Sequence, residues 1–221
     1  GRPSNIHLFS HLQRVADDED ATNVLIAQSH YCVTTPRGAY CAGDNSLGAI
    51  SDDPSNPSQL TPIGVEPGLR LALGNQVTCY VTADERVRCR GDYQGGRLGR
   101  GGSGRCSENC ARGWDEVANL NEVATVSIGD FHACALDRNG RVTCWGQNQY
   151  LALGNGNQEL RSAPTAQVPL PAPARQIAVG RHFSCAELAD ERVFCWGKNN
   201  QAQLGRGRVG DPQYPAEIQI R

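Results

Sequence analysis

The chain has 221 residues, a formal charge of −2 from 21 Lys and Arg against 23 Asp and Glu, ten cysteines and no methionine. Its Arg residues are scattered among Asp and Glu rather than gathered into a run, which leaves no electrostatic footprint for a polyanion and excludes nucleic acid as an expected partner. No apolar stretch approaches the roughly 18 residues that carry a helix across a bilayer, so membrane insertion is not expected either; no signal peptide opens the chain, and the missing initiator Met reads as processing or excision.

Taken in chain order, the first residues hold His7 and His11, near a terminus where a surface role is the default, and an acidic run of Asp17, Asp18, Glu19 and Asp20. That run and Asp52-Asp53 read as solvated loops, because neither has the Asp-x-Asp-x-Asn-Gly spacing of a calcium site. A first unit, about residues 11–60, follows with Cys32 and Cys41. A second, about 61–118, holds Cys79 and Cys89; a third, about 119–170, holds Cys134 and Cys144; a fourth, about 171–221, holds Cys185 and Cys195. First cysteines are separated by 79 − 32 = 47, 134 − 79 = 55 and 185 − 134 = 51 residues. Self-similarity at that period predicts an array of supersecondary units of the size of propeller blades.

The third unit shows how a unit is built. Val126 to Ile128 read as a strand, Gly129 as a turn, and the stretch around His132, Cys134 and Leu136 as a second strand. Asn139-Gly140 is a strong reverse-turn signal. On the returning strand Val142 and Cys144 read as alternating outward and inward. The midpoint of 134 and 144 falls in the turn itself, so the folded hairpin sets its two cysteines opposite each other. The midpoints of the other pairs also fall in turns, at Asp84, at Asp190 and between Pro36 and Arg37. Facing residues on antiparallel strands come within disulfide reach, which predicts Cys32–Cys41, Cys79–Cys89, Cys134–Cys144 and Cys185–Cys195. Each unit then runs through a glycine-rich segment into a proline-bearing loop and a further short strand, as at 164–170 and 215–220. No convincing helical period appears.

The segments Gly129 to Gly156 and Gly180 to Gly207 share a leading Gly, a Cys-Trp-Gly, an Asn and a Leu-Gly: Trp145, Gly146, Asn148, Leu153 and Gly154 in one, Trp196, Gly197, Asn199, Leu204 and Gly205 in the other. These residues resemble the repeats of the regulator of chromosome condensation family, with their Gly-x-x-His-x-x-Ala-Leu, Trp-Gly-x-Asn and Gln-Leu-Gly pattern. The resemblance weakens toward the N-terminus. Arg90 stands at the Trp position of the second unit, although Arg97, Leu98 and Gly99 remain; in the first unit Ala42 replaces Trp, Ala27 replaces the leading Gly, and Asn45 with Leu47-Gly48 are read as the surviving signature. The resemblance covers about residues 11–221. It implies an all-β fold, a β-propeller with blades of four-stranded antiparallel sheet, in a family whose ring usually has seven blades. Four units here leave three arrangements open: a partial ring belonging to a larger propeller, association with another copy, or a closed four-bladed ring.

Among candidate site residues, His30 and His132 share one repeat position and His182 lies one step earlier in its unit. A position reused in several units reads as architecture rather than catalysis. No nucleophile elbow or zinc-protease helix motif is present. Cys106 and Cys110 come nearest to metal-ligand spacing but lack a matching second pair. They are expected instead to close a loop within the insertion at 99–114, which presents Arg105, Arg112 and Trp114, residue types favoured at binding hot spots; capping or gap filling is the alternative. Neither metal nor cofactor is expected. An even number of cysteines, paired by position, points to an oxidising setting: extracellular, periplasmic or cell-surface. The expected function is a secreted or surface-exposed, non-catalytic binding module presenting propeller loops to a protein or carbohydrate. Two alternatives stand beside it: a hydrolase or lyase with a site in the central pocket, and structural blades of a larger surface protein.

Overall fold

A computed structural model describes residues 21–53, 55–101, 113–207 and 209–218. Each unit folds into an antiparallel sheet whose strands follow chain order. Blade one contains β1 (Asn23–Ile26), β2 (His30–Thr35), β3 (Gly38–Gly43) and β4 (Thr61–Pro62). Blade two contains β5 (Arg70–Gly74), β6 (Val77–Val81), β7 (Val87–Gly91) and β8 (Asp115–Glu116). Blade three contains β9 (Val123–Ile128), β10 (His132–Asp137) and β11 (Val142–Gly146), and blade four β12 (Ala174–Val179), β13 (Phe183–Leu188), β14 (Val193–Asn199) and β15 (Gly210–Glu217). A short 3₁₀ turn at Gln94–Gly96 is the one helical element among the described residues.

The expected cysteine register is the observed one. Cys32 pairs with Cys41, Cys79 with Cys89, Cys134 with Cys144 and Cys185 with Cys195 across adjacent strands. All four pairs are bridged, with Cα separations of 4.0–4.1 Å. Val142 and Cys144 do not alternate: two residues apart on one strand they share a face, and both are buried. Blade three also departs from four full strands. Its outer segment makes only isolated bridges, Thr143 with Gln167 and Gly146 with Arg161. Pro164 and Pro169 interrupt the backbone donors there, whereas β15 accommodates Pro212 and Pro215 by two register shifts along a sheet edge.

The cores lie between blades rather than within them. β1 to β2, β5 to β6, β9 to β10 and β12 to β13 pair so that Val24, Leu71, Val126 and Ile177 occupy one repeat position and Ile26, Leu73, Ile128 and Val179 another. Leu71 and Leu73 pack on the Cys32–Cys41 bridge of blade one. Val126 and Ile128 join the cluster holding Cys79 and Cys89, and Ile177 and Val179 the one holding Cys134 and Cys144. The first three disulfides are thus sealed by the following blade.

A tryptophan locks two of these seams. Trp145 is fully buried and its Nε1 donates to the Arg97 carbonyl at 2.8 Å. Trp196 repeats this one blade on, donating to the Ala152 carbonyl at 2.8 Å. Each indole packs against a glycine: a Cβ on Gly99 would come within 2.7 Å of the Trp145 Nε1, and one on Gly154 within 2.8 Å of the Trp196 Nε1. Both glycines also have positive φ, +66° and +65°, so the position demands glycine twice over.

Apolar clusters link blade one to two, two to three and three to four; among the described residues none links four back to one. The blades form an open arc. Val24 and Ile26 of β1, whose counterparts plug into a preceding blade, are 56% and 80% exposed.

Candidate binding face

Two histidines turn out to be seam residues. His30 Nε2 meets the Thr78 hydroxyl of the next blade at 2.8 Å, and His132 Nε2 meets the Ser184 hydroxyl of the next blade at 2.7 Å. Ser184 also donates to the Ala152 carbonyl at 3.1 Å. Its hydroxyl therefore accepts from the imidazole, and His132 Nδ1 is left as a buried acceptor with no partner among the described residues. Where the position preceding a seam is Val77, the next blade answers with Ala133, and both are buried in one cluster. Histidine is matched to a hydroxyl, valine to a methyl. Burial pushes the His30 pKa down to about 4, opposed by Asp44, and the His132 pKa down to about 3, with His182 adding to the shift. A Ser–His pair sealed from water in this way has no access for a substrate, and its chemistry is structural.

The third histidine behaves differently. His182 and Phe131 occupy the same repeat position, each immediately before the first pairing residue of its strand. Adjacent blades bring the two rings face to face, with centroids 4.6 Å apart and planes 7° off parallel. Tyr150 meets His182 edge-on at 4.7 Å. Around these rings stand cations. The Arg181 guanidinium lies 5.6 Å and that of buried Arg97 5.9 Å from the Phe131 centroid, and Lys198 Nζ lies 4.9 Å from that of Tyr150. Arg181 is 69% exposed and makes a long contact, 3.6 Å, to Asp130. Desolvation first, then Lys198 and Arg181, hold the His182 pKa below its ordinary value against the pull of Asp130. The imidazole is neutral near pH 7 and can stack. The cluster rests on a rigid floor: Arg97 is ion-paired with Asp92 and donates to the carbonyls of Asn75 at 3.1 Å and Asp130 at 2.6 Å. On the same rim, blades one and two carry Ser29 and Gln76 instead, joined by a hydrogen bond from the Gln76 N–H to the Ser29 hydroxyl at 3.2 Å.

The aromatic rim was not singled out from the sequence, yet a signal was there: an aromatic ring recurs at one repeat position in consecutive units. Of the three insertion residues, Arg105 and Arg112 lie outside the described residues, as do Cys106 and Cys110. Trp114 is half-buried at the seam of blades one and two, edge-on to Tyr80 at 4.7 Å with the Arg90 guanidinium 5.2 Å over its ring. Arg90 fills the seam where other units place tryptophan. Its Nε donates to the Gly48 carbonyl at 2.9 Å and it pairs with Asp52 at 2.6 Å. In the first unit the leucine position is filled by Ile50, not Leu47. The Ile50 N–H donates to Asn45 Oδ1 just as Leu153 does to Asn148 and Leu204 to Asn199.

Among the described residues no three His, Cys, Asp or Glu side chains converge as metal ligands would. A surface groove of about 300 Å³ is lined by Asn119, Thr143, Pro164, Thr165, Ala166 and Gln167, none of them titratable.

Sequence profiles described as "Regulator of chromosome condensation (RCC1) repeat" match residues 123–150 and 174–203, and a second profile of the same description matches 139–186 and 190–221. The chain carries RCC1 repeats. Blades one and two, outside the residues those profiles match, share with blades three and four the hairpin register, the bridged cysteines and packing across the seam. The human E3 ubiquitin-protein ligase HERC2 is 30% identical over 192 residues, which is 83% of this chain and 4% of HERC2. In fold, the chain is similar to human WBSCR16, with a TM-score of 0.79 at 17% identity over 94% of this chain and 56% of that one. It is also similar to Prp20p of Saccharomyces cerevisiae, a structure described with its binding to Gsp1p and histones, with a TM-score of 0.78 at 16% identity over 93% and 52%. The chain thus spans a small part of HERC2 and just over half of the WBSCR16 and Prp20p chains.

Proposed function

We propose that this RCC1 arc is a non-catalytic protein-binding module, stapled by disulfides and working outside the cytoplasm, that engages its partner through the rim formed by Phe131, Tyr150, Arg181, His182 and Lys198. One observation carries the reading: the Phe131–His182 stack across a blade seam stands beside Tyr150 and an exposed Arg181, the last two being residue types enriched at binding hot spots, on loops held by the blade scaffold. The four hairpin disulfides support the oxidising setting, since cytosolic chains keep thiols reduced. Protein binding by Prp20p supports the class of partner by analogy of fold alone. The insertion bearing Arg105, Arg112 and Trp114 is proposed as a second contact.

The test is affinity capture and cross-linking from the fluid surrounding the source cells, with wild type beside a Phe131→Ala/Arg181→Glu variant. A partner retained by wild type and lost by the variant at unchanged melting temperature supports the reading. Capture that depends only on Arg105 and Arg112 moves the site to the insertion. Binding to glycans but to no protein, or turnover in a broad hydrolase screen, overturns it.

A further inference from the structure

The sign of the charge on the rim reverses at blade four. Gly43, Gly91, Gly146 and Gly197 each face the first paired residue of the strand before them. The residue after each glycine donates its N–H to a rim carbonyl, Asp44 to Ser29, Asp92 to Gln76, Gln147 to Phe131 and Lys198 to His182, at 2.7–3.0 Å. These bonds fix two equivalent side-chain positions in every blade: the donor itself, and the residue before the acceptor, which is Gln28, Asn75, Asp130 or Arg181. Blades one, two and three place one carboxylate there, whereas blade four places two cations. Asp44 and Asp92 are already engaged, Asp44 by the Ser46 N–H at 2.9 Å and by Gln76, Asp92 by the Gln94 N–H at 2.8 Å and by Arg97. The cations are less committed. Exposed Arg181 reaches Asp130 only at 3.6 Å, and among the described residues no ion pair engages Lys198. Both bear on one imidazole, Arg181 over the Phe131 ring that stacks on His182 and Lys198 over the Tyr150 ring that meets it edge-on.

Resting on the reading of this rim as the binding face, we propose that its ligand is a short acidic segment of a protein partner, held by Arg181 and Lys198, and that His182 takes up a proton as the carboxylates arrive. The groups that face the imidazole are Asp130 and Phe131 from the first turn of blade three, Tyr150 from the loop after β11, buried His132, and Arg181 and Lys198 of blade four. In the unliganded chain desolvation and the two cations keep His182 neutral, with Asp130 opposing them. A carboxylate set between those cations cancels their repulsion and favours the imidazolium. Binding therefore consumes a proton. Affinity is greatest below the titration range of the bound imidazole and falls as pH rises through it. The ligand is short because Asp44, Asp92 and Asp130 carry the rim onward with negative charge, which repels an extended polyanion such as a sulfated glycan.

The probe is a glutamate hexapeptide blocked at both ends, added to the full chain at about 50 mM salt and followed by NMR and calorimetry. Shifts are expected at the rim of blades three and four, with affinity about three- to tenfold tighter at pH 6.0 than at pH 7.5, a window in which glutamate stays ionised. His182→Gln binds the peptide with no dependence on pH. Lys198→Gln, which leaves the aromatic stack in place, weakens binding at both pH values and raises the titration midpoint of His182 in the unliganded chain, an effect that a purely structural lysine would not have. Equal affinity of the wild type at both pH values overturns the proposal, as does a heparin fragment that binds the rim more tightly than the peptide. So does the absence of rim shifts at millimolar peptide. Capture of a natural partner with the Phe131→Ala/Arg181→Glu variant separates the two levels of the argument. A partner lost by that variant while the peptide has no effect leaves the rim as the binding face and removes the acidic ligand; a partner held equally by variant and wild type removes both.

Discussion

Acidification from pH 7.5 to 5.0 destabilises the arc through two buried imidazoles. The unfolded chain titrates its histidines near 6.5, while the fold holds His30 at about 4 and His132 at about 3. Above pH 6.5 neither state binds the proton and the full stability is present. Below it the unfolded chain takes up protons that the fold refuses, so stability falls by about 1.4 kcal/mol per pH unit per histidine until the folded values are reached. At pH 5.0 each histidine accounts for about 2 kcal/mol, and the pair for about 4 kcal/mol. The carboxylates with lowered pKa, among them Asp44, Glu85 and Glu187, lose their contribution in the same direction but only below their ordinary values, outside this window. Urea unfolding with disulfides intact reads the effect: for a slope near 2 kcal/mol/M the midpoint drops by roughly 2 M between the two pH values. His132→Leu removes about half of that drop, whatever it does to stability at pH 7.5. A midpoint that stays level across the window, or a variant as acid-sensitive as wild type, refutes the seam assignment.

Gly154→Ala lowers the melting temperature more than Gly64→Ala. Both carry positive φ, which costs about 1 kcal/mol for a side chain, but only Gly154 lies against an indole, whereas a Cβ on Gly64 meets nothing within 4 Å among the described residues. Asp92→Ala leaves the Arg97 guanidinium buried without its carboxylate and destabilises by about 3–5 kcal/mol in denaturant titration, and adding Arg97→Met recovers most of that loss. Replacing Cys134 and Cys144 together by serine releases a ten-residue loop and costs about 3 kcal/mol in the chain-entropy account, measured as the shift in unfolding midpoint. Peptide mapping without reductant yields Cys32–Cys41, Cys79–Cys89, Cys134–Cys144 and Cys185–Cys195 as separate bridged hairpins, and any cross-link between blades contradicts the register.

What the sequence made legible was local. A hairpin folds about its own turn, so the midpoint of two cysteines fixes their register without knowledge of the rest of the chain, and all four registers stand as read. What it concealed lies between blades. His132 and Ser184 are 52 residues apart, and nothing in either hairpin alone says that one needs the other. The Phe131–His182 stack was hidden for the same reason, although aligning the leading glycines places both rings at one position. Ile50 was missed because Leu47-Gly48 copies the letters of the motif, while the fold counts five residues from Asn45, whose side chain holds the turn. The third unit's outer strand failed to form fully because prolines at 164 and 169 remove backbone donors that no local pattern replaces.

The covalent cross-links have a consequence for biosynthesis. For each of the eight bridged cysteines the correct partner lies 9 or 10 residues away, nearer along the polypeptide than any other bridged thiol. Segments of that length meet within about 10–100 ns, far faster than distant parts of the chain can find one another. Oxidation can therefore proceed hairpin by hairpin as the nascent polypeptide emerges, with little call for an isomerase to undo mismatched sulfurs.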